Sequence, residues 1–119
     1  MLPARYRMTR STEFGSTVKS GVRAVERDVV VHARRSDQVG DRGPRIGLVV
    51  GTSVGSSVQR HRVARRLRHA ARKLVAELDP RDRIVIRALP SSRDAILASL
   101  EQELRSGLTR AHLLPRASR

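Results

Sequence analysis

Apolar and polar positions along the chain fall into short periodic blocks. Residues 11–20 (STEFGSTVKS) predict a short helix, with Ser11 or Thr9 as its cap and Gly21 just past its end. Val22 to Arg34 contains VERDVVVHAR, rich in β-branched residues, and predicts a strand. Residues 36–44 (SDQVGDRGP) predict a turn-rich loop. Arg45 to Gly51 alternates, with Ile46, Leu48 and Val50 on one side, and predicts a second strand.

The strongest pattern follows. Ser56 and Gln59 have the spacing of a capping box. From there to Leu78, Val63, Leu67, Ala70, Ala71, Leu74 and Leu78 recur at helical spacing on one face. At about 100° per residue, Arg62, Arg65, Arg68, His69 and Arg72 share the opposite face. Arg66 and Lys73 flank them, Arg60 projects near the apolar edge, and Asp79-Pro80 ends the helix. Arg83 to Ala88 predicts a third strand. A last helix opens at Pro90, with Ser91 and Asp94 in capping-box spacing. Its apolar positions are Ile96, Leu97, Leu100 and Leu104, and Gly107 is its expected stop. The tail, residues 109–119, is basic and aperiodic; it is expected to be loosely ordered, with Leu113 and Leu114 able to dock. The resulting order, helix-strand-strand-helix-strand-helix, is an α+β sandwich with helices packed on a small sheet. The 119 residues read as one domain, with residues 1–8 as a basic N-terminal segment.

Composition adds the function class. Lys plus Arg is 25 against 11 Asp plus Glu, a formal charge of +14, and this points to a polyanion. Only Lys19 and Lys73 are lysines; Arg, which forks onto phosphate and stacks on bases, makes up the rest. From Pro44 to Ala76 there is no acidic residue, while Arg45, Arg60, Arg62, Arg65, Arg66, Arg68, Arg72 and Lys73 all fall there. One face of the molecule is therefore expected to carry most of the positive potential. Like charges at i, i+3 and i+4 on the basic helix repel, and no intrahelical acid offsets them, which a bound polyanion would relieve. RNA is the expected partner; neither DNA nor a membrane is. The charged N-terminus and the lack of a long apolar run predict a cytoplasmic protein.

Catalytic chemistry is hard to find. There is no Cys, and His32, His61, His69 and His112 have no metal-ligand spacing with carboxylates. The segment GTSVGSSV lacks the Lys of a nucleotide-binding loop, although the helix start at Ser56 and Ser57 offers N–H groups and hydroxyls as a phosphate seat. With Tyr6 and Phe14 as the only aromatics, a sheet of base-stacking aromatics is excluded. No metal site and no cofactor of the protein itself are expected.

The segment GLVVGTSVGSSVQRHRVARRLRHAARKL resembles the protein subunit of bacterial ribonuclease P. Gly55, Val58, Arg60, Arg62, Arg65 and Arg68 sit at the places that family requires. MLPARYRMTRSTEFGSTVKSG is similar to its opening segment and first helix, and RDRIVIRALP to the strand after its basic helix. His61 stands where the family has Asn, and Thr52 and Ser53 where it often has basic residues. The resemblance implies a small, mainly antiparallel sheet with a left-handed βαβ crossover around the basic helix. It implies a catalytic RNA partner that hydrolyses precursor tRNA at the 5′ end with Mg²⁺, the protein alone being inactive. Arg60, His61, Arg62, Arg65, Arg66, Arg68, Arg72 and Lys73 would bind that RNA. A cleft between helix one and the sheet, with Phe14, Val18 and His32, would hold the single-stranded 5′ leader. Charge and size also suit a ribosomal or ribosome-assembly protein, and the Gly-to-basic-helix motif speaks against it. A free-standing nuclease would need a carboxylate or His cluster that the chain does not offer.

Overall fold

A computed structural model describes residues 2–37 and 43–111. Most of the expected loop 36–44, together with His112, Leu113 and Leu114, lies outside them. Three helices, α1 (Ser11–Ser20), α2 (Ser57–Arg72) and α3 (Leu97–Arg110), accompany four strands: β1 (Val22–Val25), β2 (Val29–Arg35), β3 (Arg45–Val49) and β4 (Asp82–Ala88). The sheet order is β1-β2-β4-β3. β1 and β4 each pair antiparallel with β2, and β3 pairs parallel with β4. A parallel neighbour needs a crossover, and α2 supplies it.

The expected first strand is two. Glu26-Arg27-Asp28 interrupts the β-branched run, and the chain folds back so that Val25 faces Val30 and Val22 faces Ala33. Glu26 N–H donates to the Val29 carbonyl at 2.9 Å to close the turn. The element order is therefore helix-strand-strand-strand-helix-strand-helix.

Alternation along the strands sends Val29, Val31, Ala33, Ile46, Ile84 and Ile86 to one face, where α2 and α3 bury Val63, Leu67, Ala70, Leu100, Leu104 and Leu108 on them. The opposite face of the sheet carries α1. Gly47 lets it approach: a methyl there would overlap the Phe14 ring. Gly21 ends α1 as expected, donating to the Thr17 carbonyl at 2.9 Å, but its N-cap is Arg10, with neither Ser11 nor Thr9 capping by side chain.

Three other boundaries differ from the sequence pattern. α2 stops at Arg72 and a short 3-10 turn follows, although Leu74 and Leu78 remain buried. Ser91 and Asp94 form no capping box: residues Pro90–Asp94 make a separate 3-10 turn, and Ser91 Oγ donates instead to the Arg27 carbonyl at 3.3 Å. Gly107 does not stop α3. It sits inside the helix because Val31 packs there, 2.7 Å from where a Cβ would stand, and the helix takes in Thr109 and Arg110 of the expected tail.

The hairpin turn meets α3 through a pair of carboxyls. Asp28 N–H donates to Glu103 Oε1 at 2.6 Å. Burial first, then the hydrogen bond to the Asp28 carboxylate, pushes Glu103 up to about 7; that same bond holds Asp28 below the usual carboxylate range. Glu26, itself paired with Arg110 at 2.6 Å, adds to the rise, and Arg27 helps keep Asp28 ionised. A folded-state value above the free value of 4.5 means that Glu103 stabilises the fold fully below pH 4.5. That contribution is lost as pH rises through about 7. The Asp28 contribution runs the other way, present above pH 3.8 and lost on further acidification. Glu103→Gln keeps a donor toward Asp28 and cannot ionise. Its melting temperature should exceed that of the wild type by a few degrees at pH 8 and match it closely at pH 5. Parallel melting curves at the two pH values would show no difference of this kind, were the pair not sharing a proton.

Candidate RNA-binding surface

α2 begins with the capping box its sequence predicts. Ser56 Oγ accepts from Gln59 N–H at 3.2 Å, and Gln59 Oε1 accepts from Ser56 N–H at 2.8 Å. The preceding Gly55 has φ +148°, and a side chain there would run into Gln59. The cap occupies the Ser56 N–H and oxygen. Of the expected phosphate seat, Ser57 is the member that faces other candidate residues.

The basic side chains of α2 divide into three sets. Arg62, Arg65, His69 and Arg72 form an exposed ridge, and among the described residues none of them has an ion-pair partner. Arg60, His61 and Arg68, with Ser57, Ala64 and Val50, line a cavity of about 210 Å³ beside the end of β3. Arg60 lies at the apolar edge as expected, half-buried, with an Nε that no acceptor meets. Arg66 and Lys73 are tied to the neighbouring segment. Arg66 donates to the Ala95 carbonyl at 3.2 Å and to that of Arg93 at 3.4 Å, and Lys73 pairs with Glu101 at 2.9 Å. Helical spacing shows Arg66 and Lys73 only as cations flanking the exposed face; packing against α3 and the 3-10 turn is what makes them anchors.

The other candidate residues lie across the sheet, on the face that carries α1. Strand register sets Gly47, Val85, His32 and Arg23 in one row over four strands. The Phe14 ring rests on Gly47, and His32 is two strands away on β2 rather than on the first strand. Phe14 and His32 therefore share a floor with Val85 between them and do not face each other. Val18, one turn beyond Phe14 on the same side of α1, is 46% exposed. His32 is 6% exposed, and its Nδ1 meets no hydrogen-bond partner. Burial, and then the positive charges of Arg23 and Arg87, hold its imidazole below the usual histidine range. The ring is thus neutral at physiological pH.

The next row, Val25, Val30, Arg87 and Val49, completes the floor. Its outer members Val25 and Val49 are exposed, as is Arg87. Sequence reasoning did not single these out. The alternation in RIVIRA, which turns Arg87 away from Ile84 and Ile86, was the signal that could have found Arg87. Apolar floor, one aromatic wall and two guanidinium groups are what a single nucleic-acid strand meets on a stacking platform. Among the described residues, no three His, Asp or Glu side chains converge to hold a metal ion.

An α+β sandwich with an acid-free arginine ridge on one helix and a cationic cleft on the far side of its sheet defines a small RNA-binding protein. The Ribonuclease P family matches residues 2–112. The ribonuclease P protein component of Mycolicibacterium vanbaalenii is 64% identical over 110 residues, covering 92% of each chain. That of Mycobacterium bovis is 58% identical over 111 residues, covering 93% of each. Among solved structures, the Staphylococcus aureus RNase P protein superposes with a TM-score of 0.80 at 20% identity, covering 92% of this chain and 97% of that one. The Thermotoga maritima RNase P protein gives 0.73 at 19% identity, over 87% and 96%. At such identities the likeness is one of fold. The chain belongs to the ribonuclease P protein family, the protein component of the endoribonuclease that processes tRNA 5′ ends. These relatives support that reading and not the ribosomal alternative.

Proposed function

We propose that this chain binds the catalytic RNA of ribonuclease P through α2 and holds the 5′ leader of precursor tRNA in the cleft beside α1. The observation that carries the reading is the division of labour on α2: Arg62, Arg65 and Arg72 stand exposed and, among the described residues, have no carboxylate partner, while Arg66 and Lys73 brace the helix from behind. Uncompensated guanidinium groups on a rigid helix suit the phosphates of a folded RNA. Arg60, His61 and Arg68, with the Ser57 hydroxyl, form a second contact zone around the 210 Å³ cavity. In the cleft, the half-buried Phe14 ring offers a π face to leader bases above the buried His32, and Arg23 and Arg87 offer charge to the phosphates between them.

In this scheme Mg²⁺ is used by the RNA subunit. The protein positions substrate and leaves water activation to its partner. Neither DNA nor a membrane is the expected ligand; among the described residues no helix is long and apolar enough to cross a membrane. Its working place is the cytoplasm, where precursor tRNA is made.

Reconstitution tests this reading. Purified chain stripped of RNA should leave precursor tRNA intact in Mg²⁺, and adding the catalytic RNA should yield product with a mature 5′ end. Robust cleavage by the RNA-free protein would overturn the assignment, as would a reconstituted complex in which the chain changes neither substrate binding nor rate.

A further inference from the structure

α1 divides its face of the sheet into two grooves. At about 100° per residue, buried Thr17 points down to the strands, Phe14 and Val18 lean to the leader side, and Thr12, Glu13 and Ser16 lean to the other. On that second side lies a polar cavity of about 490 Å³, lined by Thr12, Glu13 and Ser16 of α1 together with Arg10, Arg34 and Arg83. It uses none of the leader-side or α2 residues.

The charges there are poorly matched within the protein. Register places Arg34, Arg83 and Arg45 side by side on β2, β4 and β3. Like charges directly opposite on one sheet face destabilise it. Two of the three are answered. Arg45 Nη1 donates to the Arg5 carbonyl at 2.6 Å, and Arg83 pairs with Glu13 at 3.3 Å and donates to the Pro80 and Asp82 carbonyls. Among the described residues Arg34 is not answered: its Nε is buried and meets no acceptor, and Arg10 has no ion-pair partner either. Asp37 also lines the cavity, so among the described residues the balance is three guanidinium groups to two carboxylates, with Glu13 already engaged.

We propose that the cavity between α1 and the Arg34–Arg83 pair is a phosphate-binding site, separate from the basic helix and from the leader cleft. A phosphate oxygen would accept from Arg34 Nε and a second from Arg10, with the Thr12 and Ser16 hydroxyls as further donors. Arg is suited to this because its planar fork meets two oxygens at once. The volume admits a phosphate with part of an attached sugar, so the occupant is either an RNA backbone phosphate or the free anion.

The free full-length chain, labelled at its arginine side chains, provides the test by NMR. Inorganic phosphate should move the Arg34 Nε–Hε signal in a saturable way, while chloride at equal ionic strength should not. Arg34→Gln should remove at least half of the phosphate-induced rise in melting temperature. A five-nucleotide single-stranded RNA separates the sources: a shift of the same signal at far lower concentration than inorganic phosphate identifies the backbone as occupant, and a shift with inorganic phosphate alone identifies the free anion. If neither moves it, the proposal fails. Should Arg34→Gln not fold, Arg10→Gln at an exposed position is expected to weaken phosphate binding at least threefold, and unchanged binding there also defeats the proposal. Because the signal belongs to Arg34, its failure to respond leaves the ribonuclease P reading intact.

Discussion

Replacing both Arg65 and Arg68 with alanine should weaken binding of the catalytic RNA and flatten its dependence on salt. Each phosphate contact that releases a counterion contributes about 0.7 to 0.9 to the slope of log K against log salt, so the pair should remove roughly 1 to 2 units. Arg65 belongs to the exposed ridge and Arg68 to the 210 Å³ cavity, so the double variant samples both zones of α2. Folding should survive: neither side chain has an ion-pair partner among the described residues, Arg65 is exposed, where substitutions usually cost within about 0.5 kcal/mol, and Arg68 is half-buried beside an open cavity. Arg66 behaves differently. Its bonds to the Arg93 and Ala95 carbonyls predict that Arg66→Ala lowers the melting temperature as well as affinity. Anisotropy titrations over a salt series, on variants checked by thermal melts, measure all of this. A double variant with the wild-type slope would place these residues away from the RNA.

Phe14→Ala should produce the second large effect, on substrate rather than on RNA subunit. Base stacking on an aromatic is worth about 1 to 3 kcal/mol per base. With a single half-buried benzene ring and the His32 imidazole buried, the lower end applies, so affinity for precursor tRNA should fall roughly fivefold in the reconstituted complex. Mature tRNA, lacking a leader, should bind as before. The ring also packs on Gly47, but it is only half-buried, so truncation should cost less than the roughly 3 to 5 kcal/mol of a fully buried Phe. Gly47→Ala provides an independent check, because the added methyl displaces the ring without removing it. Equal losses for both tRNAs, or none, would reject the leader cleft.

Much of the architecture was legible from local pattern because the governing forces are local. α1 was read to its residue, and the Ser56–Gln59 box was read with its reciprocal bonds, since capping involves only neighbours in the chain. Alternation in Arg45 to Gly51 sets Ile46 and Leu48 on the side that packs on the core, and Arg83 to Ala88 is a strand as its pattern predicts. The basic ridge was legible too, because a solvated helix face needs no partner to define it.

Other features depend on what arrives from elsewhere in the chain. Val22 to Arg34 read as one strand, because β-branched residues favour extended backbone on either side of a turn; only pairing with β4 fixed where the hairpin folds back. Gly107 read as a helix stop because glycine often ends helices, whereas here the close approach of Val31 requires the missing Cβ. Arg66 and Lys73 looked like two more cations on a charged helix until α3 and the 3-10 turn placed carbonyls and Glu101 beside them. Net charge and an acid-free helix are enough to assign the class of partner. Tertiary structure decided which arginines remain free to meet it, since burial and pairing are properties of surfaces that come together only when distant segments pack.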